Sequence, residues 1–278
     1  MQLIGGFLVD GRLTKNDNYH YMGTNMKDKI IQTIESTINN YEAQNYQGKI
    51  WKEPIIEIIS ANNKELSILK EAVSSEHLTP SVILPDAKSI ISFFIPFSEN
   101  IVKSNIDGTM ASKEWVTAYI KTNDLIKIIN DEIELLMLHN GYKAGKIPAT
   151  HNFDVNKLIS NWSHRHIAYI AGIGTFGINN MLITRNGCCG RLGSIIVNYE
   201  LSEYRQIGKR EEKCLKKRNG SCGICQQRCI VNAYTDNKFD RHKCYRQCLM
   251  NDDYHDTNGN ALVCGKCLVN LPCSVKEP

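Results

Sequence analysis

The hydrophobic positions of this chain change period along its length, and each change marks an element. Residues 25–41 place Met26, Ile30, Ile31, Ile34 and Ile38 near helical spacing and predict an amphipathic helix. Residues 54–60 (PIIEIIS) predict a buried strand, and residues 65–73, with Leu66, Leu69 and Val73 on one face, a short helix. Pro80 and Pro85 punctuate a loop. Residues 90–97 (IISFFIPF) are apolar but for Ser92 and rich in β-branched and aromatic side chains, the pattern of a strand covered on both faces. Pro96 predicts that ladder pairing stops near there. Ser112 reads as the N-cap of a long helix over 113–140. Trp115, Tyr119, Ile126, Ile129, Ile133, Leu136 and Met137 mark its apolar side, and Gly141 sits just past its end. Residues 142–147 predict a strand ended by Pro148, and Asp154 can cap a helix running to about residue 171. Residues 181–184 and 192–199 predict two strands joined by the turn at 186–190.

Beyond about residue 205 the periodicity gives way to short polar loops. The expected organisation is an α/β domain over 1–205 that holds a substrate or cofactor, then a small loop-rich domain over 206–278. No repeat of solenoid period is present. At 278 residues and 42% hydrophobic the chain can bury a full core, and a net charge of +4 does not by itself argue for nucleic acid. The N-terminus has an apolar run but no basic flank, and Asp10 breaks it. No window approaches the roughly eighteen apolar residues of a membrane span, so the expectation is no membrane and a reducing cytoplasm.

Cysteine changes the picture. Nine of the eleven cysteines fall at 214, 222, 225, 229, 244, 248, 264, 267 and 273. Cys222, Cys225 and Cys229 stand as C-x2-C-x3-C, and Cys264, Cys267 and Cys273 as C-x2-C-x5-C. A C-x2-C pair in a tight turn aims two thiolates at one soft metal centre, and a third cysteine a few residues on points toward another. This is the logic of proteins with two [4Fe–4S] clusters, each of which takes four cysteines. A single zinc site would use the two C-x2-C pairs and leave Cys214, Cys229, Cys244, Cys248 and Cys273 unemployed. A disulfide framework needs an export signal that the sequence lacks.

Other motifs carry less. Gly172, Gly174 and Gly177 match G-x-G-x-x-G, but they follow a helix-like run and lead into a strand, the reverse of a dinucleotide fingerprint. They imply a tightly turned backbone or close approach of a flat group. His151, His164 and His166 cluster, with hydrogen-bonded or solvent-facing histidines as the simpler reading. Asp154 is a general acid in a pocket or only a cap. Cys188 and Cys189 are adjacent, their side chains diverge in extended structure, and neither is recruited as a ligand. A basic run, Lys209, Arg210, Lys213, Lys216, Lys217 and Arg218, flanks Cys214 as a solvated face or a docking surface for an acidic electron donor or a phosphate backbone.

Three stretches together resemble the epoxyqueuosine reductase family and, more distantly, the reductive dehalogenases: AGIGTFGINNMLITRNGCCGRLGSIIVNYEL over 171–201, FDRHKC over 239–244, and the paired cysteine runs. The resemblance implies a nitroreductase-like α/β domain that holds cobalamin near Gly172, Gly174 and Gly177, followed by a ferredoxin-like domain with two [4Fe–4S] clusters. It implies one cluster on Cys222, Cys225 and Cys273, with Cys214 substituting for a family cysteine that falls at Asn219. The other cluster takes Cys229, Cys244, Cys264 and Cys267, and Cys248 is left over or replaces Cys244. Asp154 is the nearest candidate for the family's catalytic aspartate.

The implied function is an iron–sulfur reductase that passes single electrons from the clusters to a cofactor or substrate in the first domain. An external donor of ferredoxin or flavodoxin type would supply it, and a small molecule or modified nucleoside would be reduced. Family members that act on tRNA carry a helical-repeat extension after the clusters, and this sequence stops at Pro278, which leaves tRNA in doubt. The alternative is a non-catalytic ferredoxin-like electron-transfer or maturation partner of another redox enzyme.

Overall fold

A computed structural model describes residues 25–148, 153–201, 208, 210–235, 238–258 and 260–278. In chain order the elements are α1 (Met26–Asn45), β1 (Ile55–Ser60), a 3₁₀ turn (Lys64–Ile68), α2 (Leu69–Ala72), α3 (Pro80–Ile83), β2 (Ser89–Pro96), α4 (Glu99–Ser104) and α5 (Lys113–His139). Then follow β3 (Ala144–Lys146), β4 (Phe153–Asp154), β5 (Ile159–Ser160), α6 (His164–Ile170), β6 (Gly174–Phe176), β7 (Leu182–Thr184) and β8 (Gly190–Val197). The cysteine-rich end holds α7 (Leu215–Asn219), α8 (Ile224–Gln227), β9 (Tyr234–Thr235), β10 (Lys238–Phe239) and α9 (Arg241–His255).

The organising layer is a four-stranded sheet in the order β1-β2-β8-β3. All three of its pairings are antiparallel. Every residue of β2 is buried, and its side chains alternate between two cores as a period of two requires. Ile91, Phe93 and Ile95 join Ile30 and Ile34 of α1 and Ile126, Ile129 and Ile133 of α5. Ile90 and Phe94 face the opposite way, onto Ile167 and Ile170 of α6. The run over 90–97 is therefore a strand covered on both faces, but in an antiparallel sheet. Ladder pairing ends at Pro96, opposite Gly190. The long helix is α5, with Ser112 accepting at 3.1 Å from the backbone N–H of Trp115.

One expectation is corrected. Asp154 does not cap a helix. It closes β4 in a β4–β5 hairpin, and α6 begins only at His164. The cause is local: one Asp154 oxygen accepts the backbone N–H groups of Asn156 and Lys157, both at 2.8 Å, and Leu158 takes a positive φ of 52° that ends any helical course. The strands around the 186–190 turn do not pair with each other. β7 pairs with β6, whereas β8 enters the main sheet.

The division expected at 205/206 falls among residues outside those described. On either side of it the chain shares one core: Cys214, Ala261 and Val269 are buried in the same apolar cluster as Ile91 and Ile195. No helix among the described residues is long and apolar enough to cross a membrane.

Candidate functional site

The fold sorts the nine terminal cysteines into two sets. Cys214, Cys222, Cys225 and Cys273 line one cavity, narrow at about 20 Å³, with Gly177, Ile178 and Leu271 on its wall. Cys214 sits at the N-cap of α7, and Cys225 is in the single turn of α8. Burial pushes the Cys225 thiol up to about 12, and the thiols of Cys273, Cys214 and Cys222 oppose its ionisation further. Cys229, just past α8, turns to a second cavity of about 360 Å³, where it meets Cys244, Cys248, Cys264 and Cys267. Its sulfur accepts the backbone N–H of Ala233 at 3.2 Å. Burial pushes Cys264 up to about 11 and Cys267 higher still, with Cys244 adding to both. Cys244 and Cys248 lie one turn apart on α9 and share a hydrogen bond that lowers the former and raises the latter. All eleven cysteines are free thiols. Among the described residues no group of three or more His, Cys, Asp or Glu side chains is arranged to hold a single metal ion. The thiols instead line the two cavities.

Around the second cavity stand residues the sequence did not single out, apart from Trp115 and Tyr119 on the apolar side of α5. Lys266 lies inside the C-x2-C loop and is 1% exposed. Its ammonium donates to the carbonyls of Asn105 (3.1 Å) and Asp107 (2.6 Å). Asn105 returns a bond from Nδ2 to the Cys264 carbonyl at 2.9 Å. Asn251 of α9 accepts the Ala111 N–H and donates to the Val263 carbonyl, and Arg228 donates to the carbonyls of Lys266 and Ile106. Trp115 of α5 packs on Gly265, where a Cβ would lie 2.4 Å from the indole and φ is +74°, so the loop needs glycine there. The Trp115 Nε1–H is buried, has no partner among the described atoms, and belongs to a side chain that borders this cavity. The Tyr234 hydroxyl reaches the Cys267 sulfur at 3.8 Å.

A larger cleft of about 700 Å³ adjoins both cavities. It shares Gly177 and Ile178 with the first, and Leu158, Arg165, Asn180, Tyr234, Phe239 and Arg241 with the second. Of the three motif glycines, only Gly177 reaches it. Gly172 closes α6 with φ +77°, and Gly174 lets β6 approach the Ile183 carbonyl, where a Cβ would come within 2.4 Å. Asp154 is outside the cleft, exposed, its carboxyl held below the usual range by the Lys157 and Asn156 amides.

The histidines do not converge. His151 lies outside the described residues. His164 is 7% exposed and bonded at Nδ1 to Ser194 (2.8 Å) and at Nε2 to the Pro148 carbonyl (3.0 Å), and burial holds it down to about 4. His166 lines the cleft, bonded to Ser163.

Cys188 and Cys189 are 0% and 1% exposed. The Cys188 N–H donates to the Cys273 carbonyl at 2.9 Å, and the Cys189 thiol donates to the Leu268 carbonyl at 3.2 Å, so this turn anchors the last cysteine run. In the basic run, Lys209 is outside the described residues. Arg210 pairs with Glu65 and stacks on Tyr169, and Lys213 pairs with Glu277, so both tie the terminal stretch inward.

No family model and no curated protein matches the chain. Solved structures do share its fold. An epoxyqueuosine reductase from Streptococcus thermophilus is 17% identical, with 92% of this chain and 68% of that one covered and a TM-score of 0.51. A selenomethionine-labelled epoxyqueuosine reductase is 20% identical, with 88% and 66% covered and a TM-score of 0.51. A catabolic reductive dehalogenase in complex with 3-bromo-4-hydroxybenzoic acid is 15% identical, with 90% and 36% covered and a TM-score of 0.54. The chain thus spans about two thirds of these reductases and about a third of the dehalogenase. At such identities the likeness is one of fold, and it falls on the relatives that the sequence resembles: the chain has the fold shared by epoxyqueuosine reductases and a reductive dehalogenase.

Proposed function

We propose that the chain is an iron–sulfur oxidoreductase of the epoxyqueuosine reductase type, with a reducible ligand in the cleft between the α/β body and the cysteine-rich end. The observation that carries this reading is the sorting of nine thiols into two cavities that both adjoin one cleft. Cys214, Cys222, Cys225 and Cys273 would hold one [4Fe–4S] cluster. Cys229, Cys264 and Cys267, with Cys244 or Cys248, would hold the other.

The donor sets fit. Cys225, Cys264 and Cys267, which burial and neighbouring thiols hold protonated, ionise readily only against a cationic centre. The second set has the space, a buried Lys266 ammonium beside it and an unpartnered Trp115 N–H on its wall. The first set fits by its donors alone, and its thiols must part to admit a cubane. Bound clusters would supply single electrons at potentials set partly by hydrogen bonds to sulfur. The cleft's size and its border with both cavities suit a large flat group such as a corrinoid.

The chain's own contributions follow from the lining. Phe176, Tyr234 and Phe239 would exclude water and orient a ring, and His166, bonded to Ser163, stays neutral at neutral pH. The site's position is fixed by Asn105, Asn251 and Lys266, which hold the Cys264–Cys267 loop to the body.

The test is an anaerobic EPR titration of the reconstituted protein with cob(II)alamin. A cobalt signal that moves to the base-off form supports a corrinoid in the cleft. An unaltered cobalt signal beside intact clusters removes the corrinoid and moves the electron-transfer alternative to first place.

A further inference from the structure

We propose that Cys188 and Cys273 form a redox pair: oxidation that strips the proposed first cluster joins them in a disulfide, which keeps Cys273 recoverable as a ligand. The ligand role of Cys273 rests on the proposed function; the pairing itself rests on contact. The Cys188 N–H donates to the Cys273 carbonyl at 2.9 Å and to the Ser274 carbonyl at 3.2 Å, and the Cys189 N–H donates to the Ser274 carbonyl at 3.1 Å. A backbone bond of this kind sets two Cα atoms roughly 5–6 Å apart, inside the ~4.4–6.8 Å span of disulfides. The two thiols are hydrogen-bonded to each other.

The frame around the pair is fixed from both sides. Gly187, at φ +82°, packs so closely that a Cβ there would lie 2.4 Å from the Ser274 carbonyl oxygen. The Ser274 hydroxyl donates to the Leu268 carbonyl at 2.7 Å and accepts the Leu271 N–H at 2.8 Å. Other pairings fit less well. Cys214, Cys222 and Cys225 share the first cavity with Cys273, but Cys188 is the thiol that bonds it. Cys273, Cys214 and Cys222 act on Cys225 through charge alone. Cys244 and Cys248 touch across one turn of α9, where Cβ atoms stand roughly 5–6 Å apart, against ~3.5–4.5 Å in a disulfide. Cys189 turns its thiol to the Leu268 carbonyl at 3.2 Å.

Exposure orders the chemistry. Cys188 is 0% exposed, whereas Cys273 is partly exposed and lines the first cavity, so an oxidant meets Cys273 first. With hydrogen peroxide as that oxidant, the Cys273 thiolate attacks one peroxide oxygen and the O–O bond breaks. A sulfenic acid forms, and the leaving hydroxide takes a proton to become water. The Cys188 sulfur then attacks the Cys273 sulfur, the S–O bond breaks, and the departing hydroxyl leaves as water with the Cys188 proton. Each sulfur gives up one electron, and the pair reduces one peroxide to two waters. Contact makes the second step intramolecular. It therefore outruns a second peroxide, which would carry Cys273 on to an irreversible sulfinic acid. A dithiol reductant reverses the bridge and returns both thiols.

The test is peptide mapping of the full chain, purified without oxygen, with iron and sulfide measured before graded hydrogen peroxide is added. Acid quenching and thiol blocking precede digestion with trypsin. The peptides spanning 186–191 and 267–276 should become linked, and their fragmentation should place the bridge between Cys188 and Cys273. At the same peroxide dose Cys188→Ala should drive Cys273 to sulfinic or sulfonic acid. The iron that this variant recovers after dithiol reduction and reconstitution should fall to about half that of wild type, the share of one cluster in two. Cys188→Ser serves if the alanine variant does not fold. Cys273 left unbridged in wild type, or bridged to Cys189, Cys214, Cys222 or Cys225, would overturn the proposal, as would a Cys188 variant that recovers iron like wild type. A sample without iron at the outset would count against the proposed function and leave the mapping result standing.

Discussion

The α/β body and the cysteine-rich end are held together by different means. In the body, β2 buries all eight of its residues, and apolar clusters cover both of its faces. Each fully buried Ile or Phe there contributes roughly 1.5–3 kcal/mol. In the end, α9 runs fifteen residues and buries only Gln247 and Asn251, both polar. Its other elements are two to five residues long. So few apolar contacts do not order such a stretch by themselves. Hydrogen bonds to the body from Asn251, Lys266 and Arg228 supply part of the cohesion, and in the proposed reading metal ligation supplies the rest.

That contrast can be broken experimentally. The largest effect should follow from stripping iron anaerobically with a chelator. Hydrogen exchange should then accelerate through 210–278 while β2, β8 and α5 keep their protection. Equal loss in both regions, or in neither, would contradict the contrast. A single-ligand version is Cys225→Ala, which should remove about half of the iron and destabilise the end. Full iron in that variant would show the ligand set to be wrong.

The body has its own test, through His164. Its folded pKa is about 4 against an ordinary 6.5, so as pH falls the unfolded chain takes the proton first. The stability is fully present above pH 6.5 and is lost between 6.5 and 4, by up to about 3 kcal/mol. The urea midpoint of wild type should therefore drop more between pH 7 and pH 5 than that of His164→Gln. Parallel pH profiles for the two proteins would exclude this origin.

A smaller effect probes the seam between the regions. Trp115→Phe keeps the packing on Gly265 and deletes the unpartnered N–H, so the potential of the proposed second cluster should fall. An unchanged potential would mean that this N–H does not reach the cluster. The smallest effect should come from Asp154→Asn. It leaves a side-chain oxygen for the Asn156 and Lys157 amides and removes nothing from the cleft. The proposed reductase activity should change less than about twofold, within the ±0.5 kcal/mol scale of a surface substitution. A large loss would restore Asp154 as the proton donor.

What the sequence disclosed divides along the same line. The body was legible where periodicity is long and strong: residues 90–97 became β2, and 113–140 became α5. It misled at Asp154, because an Asp that caps a helix and an Asp that closes a tight hairpin satisfy N–H groups in the same way, and only Leu158 at positive φ separates them. In the end, cysteine spacing pointed only to two soft metal centres, and the division of the cysteines between them came from the family resemblance; the fold lines two cavities with these thiols. Spacing could not show which of Cys244 and Cys248 faces a cluster, because both lie on one side of α9 one turn apart. The anchoring roles of Asn105, Cys188 and Asn251 were illegible for another reason. Each joins residues 85 to 159 positions apart, and nothing local encodes such pairs.

The most direct test of the two-cluster reading is iron and acid-labile sulfide on protein purified without oxygen, with EPR of the same sample after reduction by dithionite. About eight of each per chain, and a reduced spectrum of two interacting cubanes, is the predicted result. Zinc in place of iron, or no sulfide, would contradict it and leave the terminal cysteines a structural metal site.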